Sequence, residues 1–267
     1  MLNGGLLAMS SNKETFGKTV GFVIAVCLVC AALVSISAVQ LKPLQVENKL
    51  LDQQTKILEA AGLLSETDGT KASVQATFKK FVEAKMIDLN SGEFIEGDPE
   101  LFDERRNSRD ASKSDKPKND IAGINRRSHD AVVYLVRNES GKVNTVVLPI
   151  IGSGLWDLMY GYVGLESDLN TIRSVVYSDH KETPGLGAEV MNPNWKALWP
   201  GKKIYDNNGV AKVNLVKGGA KANDIHGVDA LSGATLTSNG VTRTLQFWFG
   251  EEGYGPFVTK YRAGGVN

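Results

Sequence analysis

The feature that most constrains this chain is an uninterrupted apolar run at residues 19–39, TVGFVIAVCLVCAALVSISAV. Its 21 residues include no charge and no proline. Roughly 20 apolar residues in a helix span the hydrocarbon core of a bilayer. Only helices and closed barrels satisfy their own backbone there. The run therefore predicts a transmembrane anchor, with Lys18 and Lys42 placed to snorkel to the two interfaces. A cleaved signal peptide competes with this reading, because Ser35-Ile-Ser37 before Ala38 forms a small-residue cleavage pattern. The run is longer than the roughly 7–15 residues of a signal-peptide core, which favours an uncleaved anchor. Charge does not orient it, since Lys13 and Lys18 on one side face Lys42 and Lys49 on the other. Residues 1–18 form an N-terminal tail, within which Met9 is an alternative start of translation.

Thirty basic residues balance thirty acidic ones. No stretch combines clustered Lys and Arg with aromatics, so a nucleic-acid binder is not expected. Both cysteines, Cys27 and Cys30, lie inside the apolar run. That excludes a disulfide scaffold and a thiolate metal site in the rest of the chain. Within the run their i, i+3 spacing puts them on one helix face. Packing by small soft side chains is the simpler reading there, and a redox or metal role the other.

Beyond the anchor, residues 46–64 read as a helix, with Val46, Leu50, Ile57 and Leu58 at turn spacings and Gly62 as its stop. Residues 74–86 read as a second, with Val74, Phe78, Phe81 and Val82 on one side. Residues 103–120 are polar and charge-mixed, which predicts a solvated loop. Residues 131–137 and 143–151 flank a Ser140-Gly141 turn and predict an antiparallel hairpin. Further short strands are expected at 159–163, 173–177 and 211–216. A last helix is expected at 236–249, with Leu236, Val241, Leu245 and Trp248 on one face. The pattern is that of an α+β protein with a mainly antiparallel sheet. It divides into a tail (1–18), an anchor (19–39), a helical and polar region (45–129) and a ligand-binding domain (130–267).

The stretch that carries chemistry is DALSGATLTS, residues 229–238. Ser232, Gly233 and Ala234 are small and directly precede the last predicted helix. A helix N-terminus offers unpaired N–H groups and the positive end of its dipole, which together favour a phosphate. Thr235 would hold its hydroxyl at that point. On this chemistry alone, N-capping by Thr235 or Thr237 is an equally available role.

Asp229, two residues, then Ser232-Gly233-Ala234-Thr235 resembles the recognition motif of flavin transferases, which move the FMN portion of FAD onto a Thr or Ser hydroxyl. The resemblance makes Thr235 the modified residue, Thr237 the nearest competing hydroxyl, and Asp229 part of the recognition pattern. HKETPGLG, residues 180–187, carries Pro184 and two glycines, which predicts a tight exposed turn. GSGLWDLMYG, residues 152–161, offers the indole of Trp156 as a flat face for a flavin, or as core. Together these segments resemble the FMN-binding domain of the NqrC and RnfG family of membrane flavoproteins over roughly residues 130–250.

The resemblance implies that Leu155, Trp156, Glu182, Thr183, Leu186 and Gly187 line a flavin beside Gly233 and Ala234. It also implies that Lys217, in VKGG, offsets the phosphate charge. Length, and the region before residue 130, bring the chain nearer to the NqrC branch than to RnfG-like subunits of ferredoxin:NAD oxidoreductases. An NqrC-like role implies a bacterial inner-membrane protein with its soluble domain on the periplasmic side. It would relay electrons among other subunits of a sodium-translocating NADH:quinone reductase, from NADH toward ubiquinone, with a flavin transferase required for maturation. No GxGxxG motif appears, so NADH oxidation would belong to another subunit. His129, His180 and His226 show no metal-ligand spacing and read as structural or surface residues. No acid–base pair is evident, so the redox chemistry would be the flavin's. A membrane-tethered flavin sensor and an unflavinylated structural subunit are the remaining alternatives.

Overall fold

The computed structural model describes residues 15–262 and Gly264. Lys13, Met9 and most of the expected N-terminal tail lie outside the described residues. Contacts divide the chain into two units, 1–50 and 51–267.

The first helix, α1, runs Phe16–Ala60 and includes Pro43. The expected anchor and the helix expected at 46–64 are thus parts of one element. Within the first unit every described side chain is exposed. The helix is long and apolar enough to cross a membrane, with a mean hydropathy of 2.8 over its most apolar window. Its C-terminal turns belong to the second unit. There Ile57, Leu58 and Ala60 are buried, whereas Val46 and Leu50, in the first unit, are exposed. Gly62 ends it as expected. At φ +72° it takes the left-handed conformation, and the Leu63 N–H donates to Leu58 O at 2.8 Å, closing the last turn.

The second unit is built on a six-stranded sheet of order β2-β1-β5-β6-β7-β8. Its strands are β1 (Val82–Asp88), β2 (Phe94–Ile95), β5 (Asp130–Arg137), β6 (Val143–Ser153), β7 (Leu158–Glu166) and β8 (Ile172–Asp179). All its pairings are antiparallel. The expected hairpin is β5–β6, turning at Gly141 with φ +78°. Two small pairs complete the strands: β3 (Ser114–Asp115) with β4 (Arg127–Ser128), and β9 (Asn214–Val216) parallel to β10 (Gly227–Asp229).

Both faces of the sheet are covered, because β5 buries alternate residues on opposite sides. Val132, Tyr134 and Val136 join Ile57 and Ala60 of α1, with Phe78 and Phe81 of α2 (Lys71–Phe81) packed against them. Ala131, Val133 and Leu135 join Val241, Leu245 and Trp248 of α5 (Thr235–Trp248) in the larger core. Among the described residues there are also three short α-helices, α3 (Glu104–Asn107), α4 (Pro193–Lys196) and α6 (Gly255–Arg262), and 3-10 turns at Leu64–Glu66 and Gly187–Met191.

Three expectations are corrected. The helix expected at 74–86 stops at Phe81, and Val82–Asp88 pairs along its whole length with β5. Residues 45–129 consequently share a sheet with 130–267. The strand expected at 211–216 is ordered as a ladder only over Asn214–Val216, with Ala211 in a single bridge to Tyr205. Leu236, expected on the apolar face of the last helix, is exposed, while Val241, Leu245 and Trp248 are buried. The polar 103–120 segment is mostly exposed, with α3 and β3 its only regular pieces among the described residues.

Candidate functional site

Three loops meet at the start of α5. The first, Gly154 to Asp157, joins β6 to β7. The second follows β8 and contains the Pro184-Gly185 turn. There the Leu186 N–H donates to Thr183 O at 3.1 Å, and Gly185 has φ +76°. Proline followed by a positive-φ glycine is the signature of a type II turn. The third is the Leu231–Ala234 lead into α5, where Gly233 takes φ +72°.

Helix α5 begins at Thr235 with Ala234 as its N-cap, and no side chain caps it. Neither threonine is therefore a cap. Alanine has no side-chain acceptor for the first-turn N–H groups, and an uncapped helix N-terminus of this kind favours an anion. No acidic residue occupies the first turn. The two hydroxyls of the motif differ sharply. Thr235 is exposed. Thr237 is 1% exposed and donates its hydroxyl to Glu182 Oε2.

Glu182 joins the first two loops to the first turn of α5. It is buried, and its Oε1 accepts from the N–H groups of Leu155 at 2.9 Å and Trp156 at 3.1 Å. The Trp156 indole is 67% exposed, so it is not a core tryptophan. Its Nε1 donates to Thr183 Oγ1 at 3.1 Å, which ties the first loop to the second. Leu155, Leu186 and Leu236 are also exposed. These three leucines and the indole leave an uncovered apolar surface around the Thr235 end of α5. A Cβ on Gly233 would sit 3.0 Å from Leu186 Cδ2, so the second and third loops touch there.

Charged groups brace the edge. Lys181 pairs with Asp157 at 2.6 Å across the first two loops and holds that carboxyl below the usual range. Arg105 lies 3.7 Å over the Tyr160 ring and pairs with Asp179.

Lys217 is exposed in the turn after β9. That turn is fastened to the motif strand. Asp229 Oδ1 accepts from the Ala220 N–H at 2.8 Å, and Val216 O accepts from the N–H groups of Gly219 and Ala230. Asp229 thereby shapes the lysine turn, a contact its place in the motif did not suggest. Neither the exposure of Leu236 nor the Glu182–Thr237 bond is legible in the sequence. The histidines lie in local contacts: His180 Nδ1 accepts from the Glu182 N–H, His129 meets Asp115, and His226 Nδ1 contacts Lys203 O. An open groove bordered by Asp88, Asp98, Asp115, His129 and Asp130 contains none of the motif residues.

The arrangement suits a phosphate-bearing, flat, largely apolar ligand. An uncapped helix N-terminus, which favours an anion, carries an exposed hydroxyl on its first residue with exposed apolar side chains nearby.

The FMN-binding domain family matches residues 154–250. The NqrC protein of the Na+-translocating NADH-quinone reductase of Yersinia pestis is 48% identical over 257 residues, covering 96% of this chain and 96% of that protein. Its counterpart from Vibrio anguillarum is 45% identical over 261 residues, covering 97% of this chain and 100% of that one. Among solved structures, Shewanella oneidensis NqrC superposes with a TM-score of 0.75 at 43% identity, covering 80% of this chain and 96% of that chain. The corresponding reductase structure from Parabacteroides distasonis gives 0.65 at 29% identity, covering 82% of this chain and 97% of its own.

Proposed function

This chain belongs to the NqrC family of the Na+-translocating NADH-quinone reductase, and from that premise we propose that it carries FMN as a phosphoester on Thr235 and relays electrons within that complex. The observation that carries the attachment site is the contrast between the two hydroxyls. Thr235 is exposed at the first residue of an uncapped helix, while Thr237 is buried and already donating to Glu182. The partial positive charge at the start of α5 stabilises the phosphodiester, and Lys217 adds a cation from the neighbouring turn. Forming the Thr235 Oγ1–P bond breaks the phosphoanhydride of FAD and releases AMP, and the hydroxyl proton passes to solvent.

The bound flavin supplies electron transfer in steps of one or two electrons. This chain supplies orientation and a partly dry surface. Leu155, Trp156, Thr183, Leu186 and Gly233 are exposed and would border the ring, whereas Gly187 and Ala234, which the resemblance also matched, are buried. The tether sets the local flavin concentration independently of the free pool, which suits a shuttle whose cofactor must not dissociate. Helix α1 anchors the protein in the bacterial inner membrane, with the second unit on the periplasmic side. The other proteins of the complex are its redox partners, and a flavin transferase is required for maturation. Coverage of nearly the whole length of the NqrC relatives favours this role over an RnfG-like protein or a tethered flavin sensor.

The test is a denaturing gel of the full chain co-produced with its flavin transferase. The band fluoresces under ultraviolet light, Thr235→Ala abolishes the signal and Thr237→Ala spares it. Fluorescence surviving in Thr235→Ala moves the attachment elsewhere. An unmodified peptide mass at Thr235 in the native protein removes the covalent reading.

A further inference from the structure

Glu182 matches a position implied to line the flavin, yet its surroundings give it a different role. Both carboxylate oxygens already have partners. Oε1 accepts two successive backbone N–H groups, from Leu155 at 2.9 Å and Trp156 at 3.1 Å. Oε2 accepts the hydroxyl of Thr237. The side chain is buried, and it is walled in by two glycines from different loops. A Cβ on Gly154 would overlap Oε1 and stand 2.9 Å from the Glu182 carboxyl carbon. A Cβ on Gly187 would overlap Oε2 and stand 2.6 Å from Thr237 Oγ1. Those two positions lack side chains where the carboxylate needs the space.

The residues on the other side of these contacts are exposed. Trp156 is 67% exposed, and Leu155 and Leu186 are also open. The carboxylate thus lies behind the loop that presents the indole. It grips the backbone of the presenting residues and not the ligand face.

We infer that Glu182 is a positioning residue. Its carboxylate locks the 154–156 loop onto the first turn of α5, and so sets the indole of Trp156 against the flavin carried by Thr235. This inference rests on the flavin reading above. It differs from a direct ring contact because every effect of Glu182 on the flavin passes through Trp156.

An indole close to a flavin quenches flavin emission by donating an electron to the excited ring, so native fluorescence reports the indole's placement. The test compares the full chain with Glu182→Ala, Glu182→Gln, Trp156→Ala and Glu182→Ala/Trp156→Ala, each co-produced with the transferase. Label at Thr235 is first confirmed by peptide mass. Native flavin emission is then measured against the same sample after denaturation.

The expected result is that Glu182→Ala keeps its label and loses quenching toward the level of Trp156→Ala. The double variant should match Trp156→Ala alone. Glu182→Gln, which retains one acceptor oxygen for the two N–H groups, should recover most of the quenching. Gly154→Ala, which displaces the carboxylate without removing it, should behave like Glu182→Ala and serves if that variant does not fold.

Labelled Glu182→Ala with wild-type quenching overturns the inference. So does a double variant in which the two losses add in full, because that makes Glu182 act on the flavin independently of Trp156. Missing label on the wild-type chain counts against the flavin reading instead, so the two failures are distinguishable.

Discussion

Thr237→Val isolates the bond that holds the start of α5 to the β8 loop. The substitution is close in volume and keeps the branch at Cβ, so helix propensity changes little. What it removes is one hydroxyl donor, from a site where Thr237 is 1% exposed and Glu182 is 5% exposed. Glu182 Oε2 accepts from the Thr237 hydroxyl, whereas the two loop N–H groups go to Oε1. The variant therefore leaves a buried carboxylate oxygen without that donor. Hydrogen bonds to charged groups contribute about 1.5–3 kcal/mol, and an unsatisfied buried acceptor costs a similar amount. A loss of about 2–3 kcal/mol corresponds to a fall of roughly 5–10 °C in melting temperature for a unit of this size.

The assay is thermal unfolding of the chain produced without transferase, followed by circular dichroism. A parallel labelled sample is scored for flavin at Thr235. Melting should drop while the label stays in place. The cost should also shrink in a Glu182→Gln background, because a neutral amide leaves less charge uncompensated. A shift below about 1 °C would mean that the buried bond contributes little, and would refute the reasoning. Loss of label at unchanged stability would make Thr237 part of the attachment chemistry.

Two further outcomes test the surroundings. Gly240 lies inside α5, where replacing glycine by alanine ordinarily stabilises a helix by about 1 kcal/mol. Here a Cβ would overlap the backbone carbonyl of Ser153, so Gly240→Ala should instead destabilise by about 1–3 kcal/mol in urea unfolding. A stabilising result would show that α5 and the end of β6 separate easily. Glu104 is pushed up to about 7, mainly by desolvation, against the opposing pull of the Ser128 N–H and Arg127. Its folded value is raised above its unfolded one. Its contribution to stability is therefore fully present below about pH 4.5 and is lost as pH rises through about 7. Glu104→Gln should flatten that decline between pH 4.5 and 7 and leave the variant relatively more stable at pH 8, read from urea midpoints across pH; an unchanged profile places the titration elsewhere.

Much of the architecture was legible because local signals and tertiary demands agree. The β5–β6 hairpin follows from two β-branched runs around Gly141. The stop at Gly62 follows from a residue that tolerates φ +72°. They disagree at Val82. Its spacing from Val74 and Phe78 continues a helical face, yet the backbone turns extended there. Seven residue pairs of Val82–Asp88 with β5 outweigh a local preference. The tiny strands β2, β3 and β4 are two residues each, too short for any periodic signal.

The site divides along the same line. The apolar run, the DALSGATLTS stretch and the Pro184-Gly185 turn declare themselves in the chain, because each depends on neighbours within a few residues: uncharged length for a span, small residues before a helix, a proline and glycine for a turn. The chain alone left two hydroxyls two residues apart as rivals and Trp156 as a stacking face or as core, and the resemblance placed Glu182 among the residues lining a flavin. In the fold these groups differ through partners 26, 27 and 55 residues away: the Trp156 N–H on Glu182, the Thr183 hydroxyl accepting from the Trp156 indole N–H, and the Thr237 hydroxyl on Glu182. Exposure and hydrogen-bond partnership depend on which distant segments arrive at the same place, and no short-range pattern encodes that.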